Sequence, residues 1–138
     1  MFKYGKNSLQ NISEVKPILQ EWAHRTLELS AVDISVVDGR RTIEEQAENV
    51  KNGVSWTMDS RHLPDPVDNL AFALDLYPFV GGKTDHSEVA YQKLAKAGFA
   101  AACELGIDIR WGGFWETPDR PHWQLSVKKY PKTSVRTN

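Results

Sequence analysis

The chain has 138 residues, 41% of them hydrophobic, with five Trp, five Phe and four Tyr, which is one domain's length with ample apolar material for a core of its own and excludes intrinsic disorder. A net charge of -1, from 17 basic and 18 acidic side chains, argues against binding nucleic acid through phosphate neutralisation. The single cysteine excludes a disulfide scaffold, and no run approaches the roughly 20 apolar residues of a membrane span.

In chain order, Met1 to Ser8 lacks the apolar core of a signal peptide, so a protein that accumulates in the cytosol of the cell making it is expected. Ser8 can cap a first turn, after which Leu9, Ile12 and Val15 recur at helical spacing as far as Pro17. Pro17 suits the opening of a second helix, in which Ile18, Leu19, Trp22, Ala23, Thr26 and Leu27 mark one face and the pattern ends near Ser30. His24 falls off that stripe and is expected at the surface. Ile34 to Val37 reads as a strand closed by Asp38 and Gly39 in a tight turn. Thr42 and Glu45 then form a capping box for a helix over 43–52, stopped by Asn52-Gly53.

Residues 54–69 are rich in Ser, Asp, Arg, His and Pro, and Pro64 and Pro66 forbid a regular helix. A loop this long inside a compact domain is usually functional, and Trp56, Met58 and His62 favour an ordered site. Leu70 to Tyr77 alternates as a strand, with Phe72, Leu74 and Leu76 on one face and Ala71, Ala73, Asp75 and Tyr77 on the other. Residues 78–83 are expected as a turn or hairpin. Asp85 and Glu88 open a further helix carrying Val89, Leu94, Ala97, Ala101 and Leu105, with His86 exposed in its first turn, Cys103 as a small buried residue, and Gly106 as its stop. Ile107 to Trp111 is a short strand, Gly112-Gly113 a break, Phe114 to Pro121 a loop, and His122 to Leu125 a last strand. Ser126 to Asn138 is polar and basic without periodicity and reads as a tail.

Chemistry concentrates in His62, Asp75 and His122, with Asp119 three positions before the last histidine. Two imidazoles and a carboxylate would give Zn2+ three protein ligands and leave a fourth position open for water, the arrangement of a catalytic rather than a structural site. Spacing alone leaves this open against unrelated surface and capping residues. The tryptophans at 56, 111, 115 and 123 cluster around the same segments and are expected as core or rim packing rather than substrate platforms.

Taken together, Ser60-Arg61-His62, Ala73-Leu74-Asp75 and Asp119-x-x-His122 beside Trp111-Gly112-Gly113 resemble the zinc peptidases that group D-Ala-D-Ala carboxypeptidases and dipeptidases with phage L-alanyl-D-glutamate endopeptidases. Upstream, Asp38-Gly39-Arg40-Arg41-Thr42 with Gln46 is similar to the family's Gly-x-Arg-Thr segment, and the opening Phe-Lys-Tyr-Gly-Lys-Asn-Ser resembles compact phage endolysins. The resemblance spans residues 2–125. It implies an α+β fold of the hedgehog and D-Ala-D-Ala peptidase type, with helices packed on a small, mainly antiparallel sheet beside a zinc cleft. It further implies His62, Asp75 and His122 as zinc ligands, Asp119 as catalytic acid and base, Arg41 as holder of the developing oxyanion or a substrate carbonyl, and Ser60 and Gln46 as substrate-binding or supporting residues. Two departures stand out: the gap between His62 and Asp75 is lengthened by residues 63–70, and the expected glycine is Ala71. Asp68 or Asp65 could therefore compete with Asp75 as the carboxylate ligand, and the same pair makes a calcium site conceivable.

The expected function is that of a single-domain phage endolysin, a zinc-dependent L-alanyl-D-glutamate endopeptidase acting as a monomer on the peptidoglycan stem peptide, without nucleic-acid partners or stable membrane insertion. Its catalytic domain would span 1–126, with 127–138 as a polar tail. It would be stored in the infected cell's cytoplasm and reach the wall after release. The alternatives are a D,D-carboxypeptidase or dipeptidase, and a non-catalytic zinc-containing wall-binding module.

Overall fold

A computed structural model describes residues 1–55, 57 and 59–133. The expectations for Trp56, Met58 and the end of the tail lie outside the described residues. Four α-helices, α1 (Lys6–Ile12), α2 (Pro17–Leu29), α3 (Ile43–Lys51) and α4 (Glu88–Leu105), pack with a five-stranded antiparallel sheet. Its strands are β1 (Asp33–Asp38), β2 (Ala73–Val80), β3 (Lys83–Thr84), β4 (Ile109–Trp111) and β5 (His122–Leu125), in the order β1-β2-β5-β4, with β3 paired to the far end of β2. The α+β architecture is the expected one.

Local chemistry explains most boundaries. Pro17 occupies the first turn of α2, where its missing N–H costs no hydrogen bond. Both halves of the Thr42–Glu45 capping box are formed. Gly106, at φ 68°, takes the left-handed conformation that ends α4. Three expectations change. Ser8 does not cap α1, which starts after Gly5; its buried hydroxyl instead accepts the Val36 N–H at 3.0 Å and ties α1 to β1. The cap of α4 is Ser87, whose hydroxyl accepts from Ala90, so His86 precedes the helix and bonds Tyr91. Cys103 and Val89 are exposed, because the buried face of α4 is set by Leu94, Ala97, Gly98 and Ala101.

The core lies between α2, α4 and the inner face of the sheet, with Trp22, Leu19, Leu94, Phe72, Leu74, Leu76 and Trp123 buried together. Gly98 permits this close approach, since a Cβ there would stand 2.8 Å from the Trp123 ring, and its carbonyl accepts the Trp22 indole N–H. Phe72, Leu74 and Leu76 take the inner face as the alternation predicts. Strand β2 runs on through Pro78 to Val80, beyond the expected turn, and folds back at Gly81-Gly82 into β3.

The aperiodic stretch after Ser126 lies against this body as far as Thr133. The Arg61 guanidinium donates to the carbonyls of Leu125, Ser126 and Tyr130, and Thr133 donates through both N–H and hydroxyl to Asp65.

Candidate active site

Register assembles half of the site. Residues directly opposite each other in antiparallel strands project from the same face. Asp75 of β2 is paired with Asp38 of β1 on one side and His122 of β5 on the other, so one row across the sheet carries all three side chains. The acidic residue that breaks the apolar run of β2 thus faces away from the core.

The other half comes from the irregular segment. The His62 carbonyl accepts the Arg41 N–H at 2.8 Å, and the Arg61 carbonyl accepts the Phe72 N–H at 2.9 Å, which pins the chain on both sides of the histidine. His62 is only 3% exposed, with Nε2 3.1 Å from Asp75 Oδ1; His122 Nδ1 lies 3.3 Å from the same oxygen. One nitrogen or oxygen from each of His62, Asp75 and His122 lies within 4.8 Å of the others, a group that could hold a metal ion. Burial pushes the Asp75 carboxyl up, but its hydrogen bonds to His122 and His62 outweigh that and hold it well below the ordinary carboxylate range. Burial likewise opposes protonation of His62, and the bond to Asp75 overcomes it, raising its pKa.

The far nitrogens of both rings are occupied. His62 Nδ1 donates to the Gly39 carbonyl at 2.6 Å, and His122 Nε2 donates to Gln124 Oε1 at 2.8 Å. In the neutral rings that metal binding requires, these bonds would leave the lone pairs on His62 Nε2 and His122 Nδ1, whereas a protonated ring donates from the same nitrogen to Asp75 Oδ1. Two nitrogens, each on a ring oriented by an outer partner, and a carboxylate oxygen fit a zinc ion in donor chemistry.

Asp119 sits on the loop after β4, half-buried on the same cleft. Burial raises its carboxyl pKa, and the charge of Asp75 raises it further against the pull of His122, His62 and Arg41. The loop is folded back on itself: the Gly112 carbonyl accepts the Asp119 N–H at 2.9 Å, and a Cβ at Gly112 would stand 2.4 Å from the Asp119 carbonyl oxygen. The Gly112-Gly113 break is therefore a close approach that places Asp119.

Arg41, Ser60, His62, Asp75, Trp115, Asp119 and His122 all line one cleft of about 520 Å³. Arg41 is held by Gln46 Oε1 at 2.6 Å and by Asp38, leaving further N–H groups for a ligand. Of the two roles expected for Gln46, its surroundings match support rather than contact with substrate. Completely buried, it accepts from Arg41 and donates to Ser55 and to the Thr57 carbonyl, so it supports Arg41 and does not reach the cleft. The Ser60 hydroxyl accepts the His62 N–H at 3.1 Å, which holds the loop as well as facing the cleft. Asp65 and Asp68 do not compete with Asp75: Lys16 Nζ pairs with both, at 2.8 and 2.7 Å, and that ammonium also stands where a calcium ion would need their oxygens. Of the tryptophans, Trp123 and Trp111 are core, whereas Trp115 tilts over the His122 ring at 5.1 Å.

Three supporting contacts of the cleft escaped the sequence reading, those made by Gln124, Gly39 and Asp38. Gln124 carried a signal, being two residues after His122 on one strand and hence on its face. Gly39 acts through its backbone carbonyl, and Asp38 through register, neither of which has a side-chain signature.

A family model described as phage L-alanyl-D-glutamate peptidase matches residues 1–131. The chain belongs to that family. It is 37% identical over 133 residues to the L-alanyl-D-glutamate peptidase of Escherichia phage T5, covering 94% of this chain and 93% of that one. It is 32% identical over 131 residues to the L-alanyl-D-glutamate peptidase of Listeria phage A118, covering 92% of this chain and 43% of the longer relative. The crystal structure of the Serratia marcescens L-Ala D-Glu endopeptidase ChiX superposes with a TM-score of 0.84 at 34% identity, over 95% of this chain and 94% of that one. Membership fits the observed fold and a peptidase cleft.

Proposed function

We propose that this family member is a zinc-dependent endolysin that hydrolyses the L-alanyl-D-glutamate bond of the peptidoglycan stem peptide during host lysis. The observation that carries the reading is the convergence of His62, Asp75 and His122 with Asp119 on one cleft, in a chain whose relatives bear that activity in their names. His62 Nε2, Asp75 Oδ1 and His122 Nδ1 would hold the ion, which supplies Lewis acidity to the scissile carbonyl and acidity to a water.

The remaining steps belong to the chain's own side chains. Asp119, half-buried on the cleft, takes the proton of the attacking water and returns it to the leaving amine. Arg41, fixed by Asp38 and Gln46, presents its remaining N–H groups to the substrate carbonyl, a donor most useful as negative charge builds on that oxygen. Ser60 and Trp115 border the substrate. The substrate lies in the cell wall, and no described helix is long and apolar enough to cross a membrane.

Mass spectrometry of peptidoglycan digested by the zinc-loaded protein tests this. The expected products carry a new L-alanine C-terminus and a new D-glutamate N-terminus. Release of free D-alanine would instead identify a D,D-carboxypeptidase or dipeptidase, and intact peptidoglycan a non-catalytic wall-binding module.

A further inference from the structure

The cleft has a wall that the catalytic scheme does not use. Val127, Pro131 and Lys132 line it, and all three come from the segment after β5. That segment is clamped at two points to the loop carrying His62. Arg61, adjacent to the histidine, stacks 3.8 Å from the Phe72 ring centroid and donates to the carbonyls of Leu125 and Tyr130 at 3.2 and 2.7 Å. Asp65, three residues after it and 2% exposed, accepts from Lys16 and from Thr133 N–H and hydroxyl at 3.3 and 3.0 Å. The lengthened stretch between His62 and Asp75 thus supplies one of the two anchors for residues 126–133, through Asp65, and Arg61 before it supplies the other.

The lysine and arginine side chains that line the cleft are Arg41, Arg61 and Lys132. Arg41 is bonded to Asp38 and Gln46, and Arg61 to backbone carbonyls. Among the described residues, Lys132 makes neither hydrogen bond nor ion pair. On the reading given above, the substrate brings an anion: a glutamyl residue acylated on nitrogen has two carboxyl groups, and only one continues the peptide. A carboxylate therefore accompanies the leaving-group side of the scissile amide, and burying it without a cation would be costly.

We propose that the 126–133 segment is a substrate-binding wall and that Lys132 recognises the free carboxylate of the glutamyl residue next to the scissile bond. This rests on the L-alanyl-D-glutamate reading, and the test separates the two. Two synthetic stem peptides, alike except that the free glutamyl carboxylate is a primary amide in one, are cleaved by zinc-loaded wild type, Lys132→Ala and Lys132→Arg, with thermal melts confirming that each folds. Wild type should favour the carboxylate peptide about tenfold in kcat/KM, the size expected of one charge-assisted contact, with the difference in KM. Lys132→Ala should lose that preference with kcat little changed, and Lys132→Arg should keep it. An undiminished preference in Lys132→Ala, or no preference in wild type, overturns the proposal while leaving the endopeptidase reading intact. No cleavage of either peptide by wild type overturns that reading and this one with it.

Discussion

Asp75 and His122 face each other across paired strands, whereas His62 arrives from a segment without regular structure, and the two halves of the site are held by different means. The sheet half inherits its geometry from a backbone ladder whose other face is the core, with Leu74 and Trp123 fully buried behind it. The loop half has no ladder. It is fixed by individual bonds: Arg41 N–H to the His62 carbonyl, His62 Nδ1 to the Gly39 carbonyl, Arg61 to the segment after β5, and Lys16 to Asp65. Damage to the core packed behind the first half should therefore appear as lost global stability, and damage to the individual bonds that orient the site residues as lost local order or metal affinity.

The largest effect separates the proposed metal ligands from the proposed proton carrier. Asp119→Asn should lower kcat by about 10²–10⁴-fold while zinc content stays near one per chain; loss of zinc, measured by atomic absorption, would make Asp119 a ligand. Next comes the core behind the sheet: Leu74→Ala should cost about 2–5 kcal/mol of unfolding free energy in urea titrations. Gln124→Leu should weaken zinc binding by about 10–100-fold in chelator competition with little change in melting temperature, because it frees the His122 ring to turn.

On the loop side, Asp65→Asn should cost only about 1–3 kcal/mol, and its mark should be faster amide exchange in residues 126–133 with the sheet unaffected. Burial alone would raise the Asp65 pKa, but Lys16, Thr133 and the Val67 N–H outweigh it and lower it. A lowered folded-state pKa contributes stability that is present above the unfolded value and lost as pH falls through the folded one. The stability gap between wild type and Asp65→Asn should accordingly persist at neutral pH and close in the acid range below the ordinary carboxylate pKa.

The same division explains what the sequence made legible. Alternation in β2 exposed Asp75 as an acid out of place, and the Thr42–Glu45 box and Pro17 set helix starts, because each depends on neighbours in the chain. The grouping of His62, Asp75 and His122 with Asp119 was legible through resemblance, since spacing alone left it open. What stayed hidden depends on contacts between distant residues: Asp38 in register with Asp75, the Gly39 carbonyl on His62, and Gly112 against Asp119. Gln46 was found for its type and position, yet its work is to hold Arg41 from within the protein. The anchoring of residues 126–133 by Asp65 has no local pattern at all.

The most direct test of the central claim is stripping the wild-type protein with a chelator and following cleavage and thermal unfolding on the same sample. Activity should vanish while a cooperative melt remains, and about one zinc per chain should restore turnover. Full-rate cleavage by the chelated protein would contradict the assignment of His62, Asp75 and His122 as a catalytic metal centre.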